Sequence, residues 1–508
     1  FVDFQTAQSA AGAAAVARTL QHFGLRFLVT AALAVALFTY VRENRRLAEI
    51  NLAACGIPVK VGLLGLHFIF MAAQAPLLAH AYANGAAVPQ FAQYAVMCLC
   101  LAGAAVALLV AAAAPLQLWV RAARELGAVW LYALAAALAA TLAIQWSQTL
   151  WAPTAFVTFR LVQWLLTPCV ASLQADPALL VLATDRFAVQ VSDICSGLEG
   201  IGLMLTFCVA WLAFFRKEYR FPHALLLIPV GVVLMFVLNV IRIAALVMIG
   251  HSGFPEIAEV GFHSQAGWIA FNAAACALVI GSRRIHWLAR TQAAAATSSG
   301  VNAAAVYLMP LLAILSAGMI ARAVSNGFEL FYSLRLLFAL VALLIYAGYL
   351  RTLDWSFSWR GLAVGLLVLA LWLLSAEVLL DPATAPVPLM NMSSGARALW
   401  LCGRIATAGI LVPVAEELAY RGFLLRRLVA ADFEKVTYQG VGNWPLLASS
   451  VLFGFGHGPM LVPGVAAGLA YGTLAIRTGR LGEAVAAHMT TNLALALVVL
   501  VYDKWQLW

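Results

Sequence analysis

Charged residues are scarce in this sequence. Only 10% of its 508 residues are Asp, Glu, Lys or Arg, whereas 64% are hydrophobic. A soluble protein carries roughly 25% charged residues, so this chain could not cover a water-facing surface with polar groups. The composition excludes a soluble globular fold and indicates an integral membrane protein.

Cysteine patterns typical of zinc sites and disulfide frameworks are also missing. The eight cysteines are scattered, mostly within apolar runs, and no CxxC pair occurs. No nucleotide, haem or flavin motif is present, so we expect no organic cofactor. The net charge of +9 would suggest a nucleic-acid partner in a soluble protein. Here it is better explained by Lys and Arg in cytoplasmic loops, and we expect no nucleic acid.

Long apolar runs divide the chain. They reach the roughly 18–20 residues that cross a bilayer, and Leu/Ala/Val runs without period-two alternation favour helices. The sequence predicts an all-α, polytopic transmembrane helical bundle of about 14 spans, with no cleavable signal peptide. The approximate spans are 24–41, 60–80, 92–118, 126–146, 196–215, 222–250, 264–281, 303–322, 331–350, 361–380, 398–415, 444–461, 462–476 and 483–502. Segment 155–183 is expected to be re-entrant or interfacial.

The basic residues predict the orientation. Clusters follow four spans of the N-terminal half, and all four fit a cytoplasmic position: Arg42, Arg45, Arg46, Arg121, Arg124, Arg216, Lys217, Arg220, Arg283, Arg284 and Arg290. Loops 81–91 and 251–262 contain neither Lys nor Arg. The positive-inside rule therefore puts the N-terminus and loops 147–195 and 251–263 on the outer face.

A small, polar stretch, residues 291–305, predicts a flexible linker between two membrane units. The units would be 1–290 and 306–508. Their motif-bearing parts would be about 150–290 and 398–502.

Three polar residues converge in the N-terminal unit. Cys195 comes just before span 196–215, Arg242 lies near the outer end of span 222–250, and His263 starts span 264–281. The predicted orientation brings all three to the outer face. A thiolate activated by an imidazole can attack a carbonyl, and an arginine can stabilise the resulting oxyanion. Taken singly, they could be a packing cysteine, an interfacial histidine and a snorkelling arginine.

The motifs CSGLEG, NVIRI and HSQAGW, in this order, resemble those of the exosortases, polytopic bacterial membrane enzymes. The resemblance implies that Cys195 is the nucleophile, Arg242 the oxyanion stabiliser and His263 the acid/base partner. It implies an enzyme of the bacterial inner membrane whose site faces the periplasm. Its partners would be secreted proteins with a C-terminal tag: a short motif, a membrane span and a basic tail. The enzyme would cleave the tag and pass the acyl group to an acceptor.

Adjacent carboxylates end an apolar run in the C-terminal unit. Glu417 and Arg421 are four residues apart, so they can pair along one helix face. Glu416 points about 100° away and stays available as a general base. Further along the chain, His457 follows a Gly-rich apolar stretch, and His488 precedes Asn492 by four residues.

Polar groups within several apolar spans are expensive unless they face one another or a water-filled cavity. This set could activate water and stabilise an oxyanion. Glu416, His457 and His488 could instead bind a divalent metal, because Glu and two His form a common zinc set. A polytopic transporter is a further alternative, since such sites also use intramembrane Arg, Glu and His. A transporter predicts broken spans at matching positions of two homologous halves, and no such repeat is visible.

The second motif set, EExxxR, FxxxH and HxxxN, resembles that of the CPBP intramembrane proteases, which include the CAAX prenyl endopeptidases. The resemblance implies that Glu416 activates water with His457 as partner, and that His488 and Asn492 form an oxyanion hole. It leaves open which glutamate is the base and does not settle whether a metal is needed; we expect a metal-independent reaction.

The two motif sets together resemble the fused exosortase E/protease type, whose substrates carry a VPEID-like tag. The loop charges predict that the two sites face different sides, with Cys195 outward and Glu416 near the cytoplasmic end of its span.

Overall fold

The structure is a computed structural model. It describes residues 57–74, 77, 91–113, 116–129, 131–135, 137–138, 151–191, 197–290 and 302–508. The chain forms two compact units, Phe1–Thr154 and Ala155–Trp508. The predicted span 24–41 and most of the predicted linker lie outside the described residues.

The first unit has three described helices: α1 (Ile57–Ala72), α2 (Phe91–Ala113) and α3 (Leu116–Leu126). Nδ1 of His67 on α1 lies 2.8 Å from the carbonyl oxygen of Ala105 on α2. The indole of Trp119 on α3 donates to the carbonyl of Val110 at 3.0 Å. These polar contacts link α1 to α2 and α2 to α3.

The remaining described chain is again mostly helical. Its helices are α4 (Trp151–Leu166), α5 (Leu198–Phe214), α6 (Leu227–His251), α7 (Ile257–Arg284), α8 (Ala303–Ala323), α9 (Ser333–Ile345), α10 (Trp359–Leu379), α11 (Ser394–Arg427), α12 (Asn443–Phe455), α13 (Leu461–Thr478) and α14 (Leu481–Tyr502). Helices α7 and α11 contain π-helical turns, and short helical turns connect several of the others.

Seven described helices are long and apolar enough to cross a membrane: α6, α7, α8, α10, α11, α13 and α14. Helices α5 and α9 are shorter but also apolar. The predicted all-α, multi-pass membrane architecture is therefore confirmed. The count of about 14 spans concerns the whole chain and stays a prediction.

Segment 155–183 is a helix followed by part of a small sheet. Helix α4 ends two residues before Pro168, and a proline disfavours helix continuation. The antiparallel strands β1 (Gln174–Asp176), β2 (Val181–Ala183) and β3 (Ala188–Gln190) follow, in the order β1-β2-β3. This sheet was not predicted from the sequence, because its strands are only three residues long.

The sheet docks on the C-terminal end of α6. A Cβ atom added to Gly250 would lie 2.3 Å from the ring of Phe187, so the ring packs on the helix backbone. Asp185 lies 3.2 Å from His251. The sheet therefore lies at the end of α6 that the loop charges predict to be on the outer face. In the chain, it comes just before the Cys195 segment.

The core consists of separate apolar clusters between neighbouring helices. Helices α5, α6 and α7 share one cluster: Met204, Cys208, Leu212, Met235 and Leu278 are among its buried members. Helices α10, α12, α13 and α14 pack around Phe453 and Tyr471. Helices α8, α11 and α14 pack around Tyr307 and Leu418. Each cluster places polar motif residues on facing helices.

Helix α7 also packs against α8, so both motif sets belong to one compact unit. Asn326 donates to Glu256 at 3.0 Å where α8 has ended and α7 is about to begin. Helix α8 starts at Ala303, so the last residues of the predicted linker are helical. The division of the chain at 291–305 remains a prediction.

Candidate active sites

A cavity of about 480 Å³ opens between α5, α6 and α7. Its lining includes Arg242 from α6, His263 from α7, and Gly197 and Glu199 from the start of α5. The structure therefore brings the predicted arginine and histidine to one cavity. Cys195 lies outside the described residues, and Gly197 follows it closely in the chain.

Asn239 positions two parts of this cavity. Its side-chain oxygen accepts a hydrogen bond from Arg242 Nη1 at 3.3 Å. Gly197 has φ +80°, and a Cβ added there would lie 2.6 Å from Asn239 Nδ2. Only glycine fits both the left-handed backbone and the close approach. The close approach of Asn239 therefore requires a glycine two residues after the predicted nucleophile.

Asn239 was not singled out from the sequence, although it opens the NVIRI motif. It is only 6% exposed and lies in an apolar run. A buried amide in a membrane span needs partners, because the bilayer offers none. A single amide side chain within this apolar run was the sequence signal that could have identified Asn239.

The Glu417–Arg421 pair lies at the centre of the second site. Arg421 Nη1 lies 3.1 Å from Glu417 Oε1, and the two side chains are 1% and 0% exposed. Arg421 Nη2 also donates to the carbonyl of Gly468 at 3.0 Å. The pairing predicted from the four-residue spacing is confirmed.

His488 lies between the two glutamates. Its Nδ1 is 3.0 Å from Glu417 Oε1, and its Nε2 is 3.8 Å from Glu416 Oε2. Where Glu417 is ionised it can only accept, and a neutral His488 that donates to it carries its hydrogen on Nδ1. In the neutral imidazole, Nε2 is then an acceptor facing Glu416. Tyr471 stacks on the imidazole with ring centroids 4.9 Å apart and restrains its orientation.

A second cavity, of about 200 Å³, is lined by His457, His488 and Asn492. Asn492 donates to the carbonyl of Ala408 on α11 at 2.8 Å. His457 Nδ1 lies 2.9 Å from the carbonyl of Phe453. The structure thus gathers all three motif residues at one cavity. His488, however, and not His457, makes the close contact with Glu416.

Other residues of this cavity were missed by sequence reasoning. Arg404 and Trp372 line it, and Trp372 packs edge-on against His457 with ring centroids 5.4 Å apart. Thr491 accepts from the Tyr471 hydroxyl at 2.8 Å and donates to Gly365. An arginine inside the apolar run 398–415 was the one signal for Arg404.

Metal-ligand geometry was also considered. Within the described residues, no three His, Cys, Asp or Glu side chains are grouped closely enough to hold a metal ion. Glu416, His457 and His488 therefore do not form a ready three-ligand set here.

The starts of α7 and α11 both lie near the end of α8, and the expectation that the two sites face opposite sides stays a prediction. His263 lies near the start of α7, where this helix meets the end of α8. The loop after α8 contacts α11 there, because Trp400 donates to the carbonyl of Glu329 at 3.1 Å. Arg404, one turn beyond Trp400, lines the second cavity. Glu416 lies deeper in the same helix.

Two family models match the parts of the chain that supply most of the residues lining these two cavities. The model described as transmembrane exosortase matches residues 18–281. The chain belongs to the transmembrane exosortase family. In this exosortase, the model described as type II CAAX prenyl endopeptidase Rce1-like matches residues 398–494. The resemblance to an exosortase fused to a CPBP protease is confirmed, and both families support a membrane protease. No curated protein and no solved structure matches the exosortase.

Proposed function

We propose that the N-terminal half is a cysteine peptidase and transpeptidase of the bacterial inner membrane. It cleaves C-terminal sorting tags of secreted proteins at the periplasmic face. The observation that carries this proposal is the shared cavity of Arg242 and His263. Gly197 lines the same cavity, and two Cα–Cα steps of 3.8 Å keep Cys195 within about 8 Å of it along the chain.

The reaction follows from the three side chains. His263 takes the proton of the Cys195 thiol, and the thiolate attacks a carbonyl carbon of the tag. Arg242, held by Asn239, stabilises the oxyanion. The C–N bond then breaks, and the leaving amine takes the proton from His263. An acceptor nucleophile or water attacks the thioester and releases the thiol.

The expected substrate carries a VPEID-like motif, a membrane span and a basic tail. A basic tail would stay on the cytoplasmic side by the positive-inside rule. The motif would then reach the outer face, where we place the cavity of about 480 Å³. Such a volume is in the usual range for a ligand pocket, roughly 300–1,000 Å³.

We propose that the C-terminal half is a glutamate-dependent intramembrane endopeptidase. Glu416 Oε2 and His488 Nε2 are two acceptors 3.8 Å apart, a separation that one water can bridge with its two hydrogens. Glu416 would take a proton as this water attacks the peptide carbonyl, and would give it to the leaving amine as the C–N bond breaks. His457 and Asn492 line the adjoining cavity and would stabilise the oxyanion. This assignment exchanges the roles that the family resemblance implies for the two histidines.

Tag processing in cells tests both halves. A tagged secreted substrate is expressed with the wild-type enzyme, Cys195→Ala and Glu416→Ala, and its mobility is compared. Cys169→Ala is the matched control because this cysteine is exposed and outside both cavities. We expect Cys195→Ala alone to abolish removal of the tag. Normal processing by Cys195→Ala would contradict the proposal for the N-terminal half.

A transporter is the rival function, because it too would use the intramembrane Arg, Glu and His. Purified enzyme and a tagged peptide in detergent separate the two functions, since cleavage needs no sealed compartment and transport does. For the second half, a peptide library is incubated with wild-type enzyme and Glu416→Ala. Peptides cleaved equally by both proteins would remove the glutamate protease assignment.

A further inference from the structure

Arg404 lines the second cavity at a distance from the catalytic groups. It lies on α11, one turn before Ala408, whose carbonyl binds Asn492. The same cavity is lined by His488, whose Nε2 lies 3.8 Å from Glu416 Oε2, so the guanidinium shares a cavity with a residue of the proposed chemistry. Arg404 also lines a neighbouring cavity with Glu329.

Three aromatic rings surround the Arg404 guanidinium. Its central carbon lies 4.5 Å from the ring centroid of Tyr332, 5.1 Å from that of Trp508 and 5.7 Å from that of Trp400. Ring faces attract a cation and fix its position. They provide no in-plane acceptor for the guanidinium N–H donors, so the cradle holds the charge without satisfying its hydrogen bonds.

Among the described residues, Glu329 shares a cavity with Arg404 without forming an ion pair with it. In the part of the chain that the structure describes, Arg404 forms no ion pair, and its buried Nε has no hydrogen-bond partner. The carboxylate on the neighbouring loop, Glu329, is bound by Arg335 at 2.8 Å and lies 3.7 Å from Arg322. A cation within an apolar span is costly and indicates a functional role.

We propose that Arg404 binds a carboxylate of the peptide substrate and thereby determines the specificity of the C-terminal protease. The inference rests on the proposed protease function. Guanidinium and carboxylate form charge-assisted, often bidentate hydrogen bonds, which would supply the missing acceptors. The carboxylate can belong to an acidic side chain or to a free peptide C-terminus, because the shared chemistry is the same.

The helix itself sets the distance between this carboxylate and the cleaved bond. Arg404 and Glu416 belong to the single helix α11. A rise of 1.5 Å per residue separates them by about 18 Å along its axis. An extended peptide advances about 3.3 Å per residue, so about four to six residues fit between the two groups. The preferred acidic group therefore lies that far from the scissile bond.

Binding tests the inference without requiring catalysis. Fluorescent peptides are titrated into detergent-solubilised full-length Glu416→Gln protein, with and without Arg404→Gln. One peptide pair differs by Glu or Gln at a scanned position, and a second pair by a C-terminal acid or amide. We expect at least tenfold tighter binding of one carboxylate-bearing member, and loss of that preference in Arg404→Gln. The preferred pair identifies the source of the carboxylate.

Arg397→Gln is the matched control. Arg397 lies on the same helix, donates to the carbonyl of Met390 and lines neither cavity. It should leave the preference unchanged. Arg404→Lys, which keeps the charge but not the fork, should retain part of it. A preference that survives in Arg404→Gln overturns the inference.

The inference can still be tested if the Arg404→Gln variant does not fold. If Arg404→Gln does not fold, equal affinities for the members of both pairs in the Glu416→Gln protein overturn it on their own. Failure of the protease function has a different signature. Discrimination between peptides would persist, while the enzyme with Glu416 intact would cleave none of them.

Discussion

Gly261 of α7 lies directly against the carbonyl oxygen of Ser325, just beyond the end of α8. A Cβ atom added to Gly261 would lie 2.1 Å from that oxygen and 2.5 Å from the carbonyl oxygen of Arg322. Both neighbours are backbone atoms and cannot rotate away. His263, two residues further on, is therefore held where α7 meets the end of α8. The contact between α7 and α8 therefore supports the start of the helix that carries His263.

This contact predicts that Gly261→Val impairs tag processing without touching a catalytic group. A side chain there would push the start of α7 away from α8 and move His263 relative to Arg242. Overpacking of this kind costs about 1–3 kcal/mol, and a small displacement of a catalytic group can lower the rate by about 100-fold. The measurement is the rate of tag removal in cells and in detergent.

Gly281→Val is the control for this prediction, because a Cβ at Gly281 of the same helix meets nothing within 4 Å. The rate of Cys195 alkylation as a function of pH gives a second readout. A displaced His263 should require higher pH for the same rate. Equal processing by Gly261→Val and Gly281→Val would show that the α7–α8 contact does not position the histidine.

Gly197→Ala tests the backbone conformation at the start of α5. An added methyl would meet Asn239 Nδ2 at 2.6 Å, and the backbone has φ +80°. Non-glycine residues lose about 1–2 kcal/mol in this region. We expect at least a tenfold loss of tag processing with the protein still folded, because Asn239 would release Arg242. Gly202→Ala is the control, since Gly202 lines the same cavity with open space at its Cβ position. Unimpaired Gly197→Ala would contradict this reading of the site.

Local spacing was sufficient for part of the fold and of the sites. Apolar runs predicted the spans, because helix formation in lipid depends on the segment itself. The Glu417–Arg421 pair could be predicted because the two residues are four apart on one helix. Contacts between distant segments could not be predicted. His488 meets Glu417 across 71 residues of sequence, so its position between the two glutamates depends on how α14 packs on α11.

Non-local packing explains the other differences too. Asn239 and Arg404 look like isolated polar residues until neighbouring helices place them at cavities. The sheet around Val181–Ala183 was missed because three-residue strands have no readable period.

Asp185 predicts how pH affects the sheet that precedes Cys195. The hydroxyl of Ser172 donates to this carboxylate at 3.1 Å and lowers the pKa of Asp185, with His251 contributing further. A lowered pKa stabilises the folded sheet above the unfolded pKa of about 3.9. The stabilisation is lost as pH falls through the folded value.

Hydrogen exchange of residues 172–191 between pH 3 and pH 7 measures this effect, after correction for intrinsic exchange rates. We expect protection to decrease at the acidic end in the wild type. At every pH, Asp185→Asn should show the weaker protection that the wild type shows at the acidic end. Its protection should therefore not decrease as the pH falls. Ser172→Ala should move the decrease to higher pH. Identical profiles for the wild type and Asp185→Asn would refute the link.

The two adjacent glutamates should separate stability from catalysis. Glu417 and Arg421 form a buried pair, and removal of one partner leaves the other charge uncompensated. Breaking such a pair destabilises a protein by about 3–5 kcal/mol. Glu416 is partly exposed, with 19% of its side chain accessible. We therefore expect Glu417→Ala to unfold at markedly lower denaturant concentration and Glu416→Ala to unfold like the wild type.

Peptide cleavage should be lost for different reasons in the two variants. Glu416→Ala should lose peptide cleavage by about 100- to 10,000-fold, the usual contribution of a general base, in a protein of normal stability. Glu417→Ala should lose cleavage together with its fold. The double variant Glu417→Leu/Arg421→Met, which removes both charges, should recover stability because a buried pair can be replaced by apolar side chains of similar volume. It should stay impaired in cleavage, because His488 would lose the carboxylate that fixes its tautomer. A double variant as unstable as Glu417→Ala would show that the pair contributes more than mutual neutralisation.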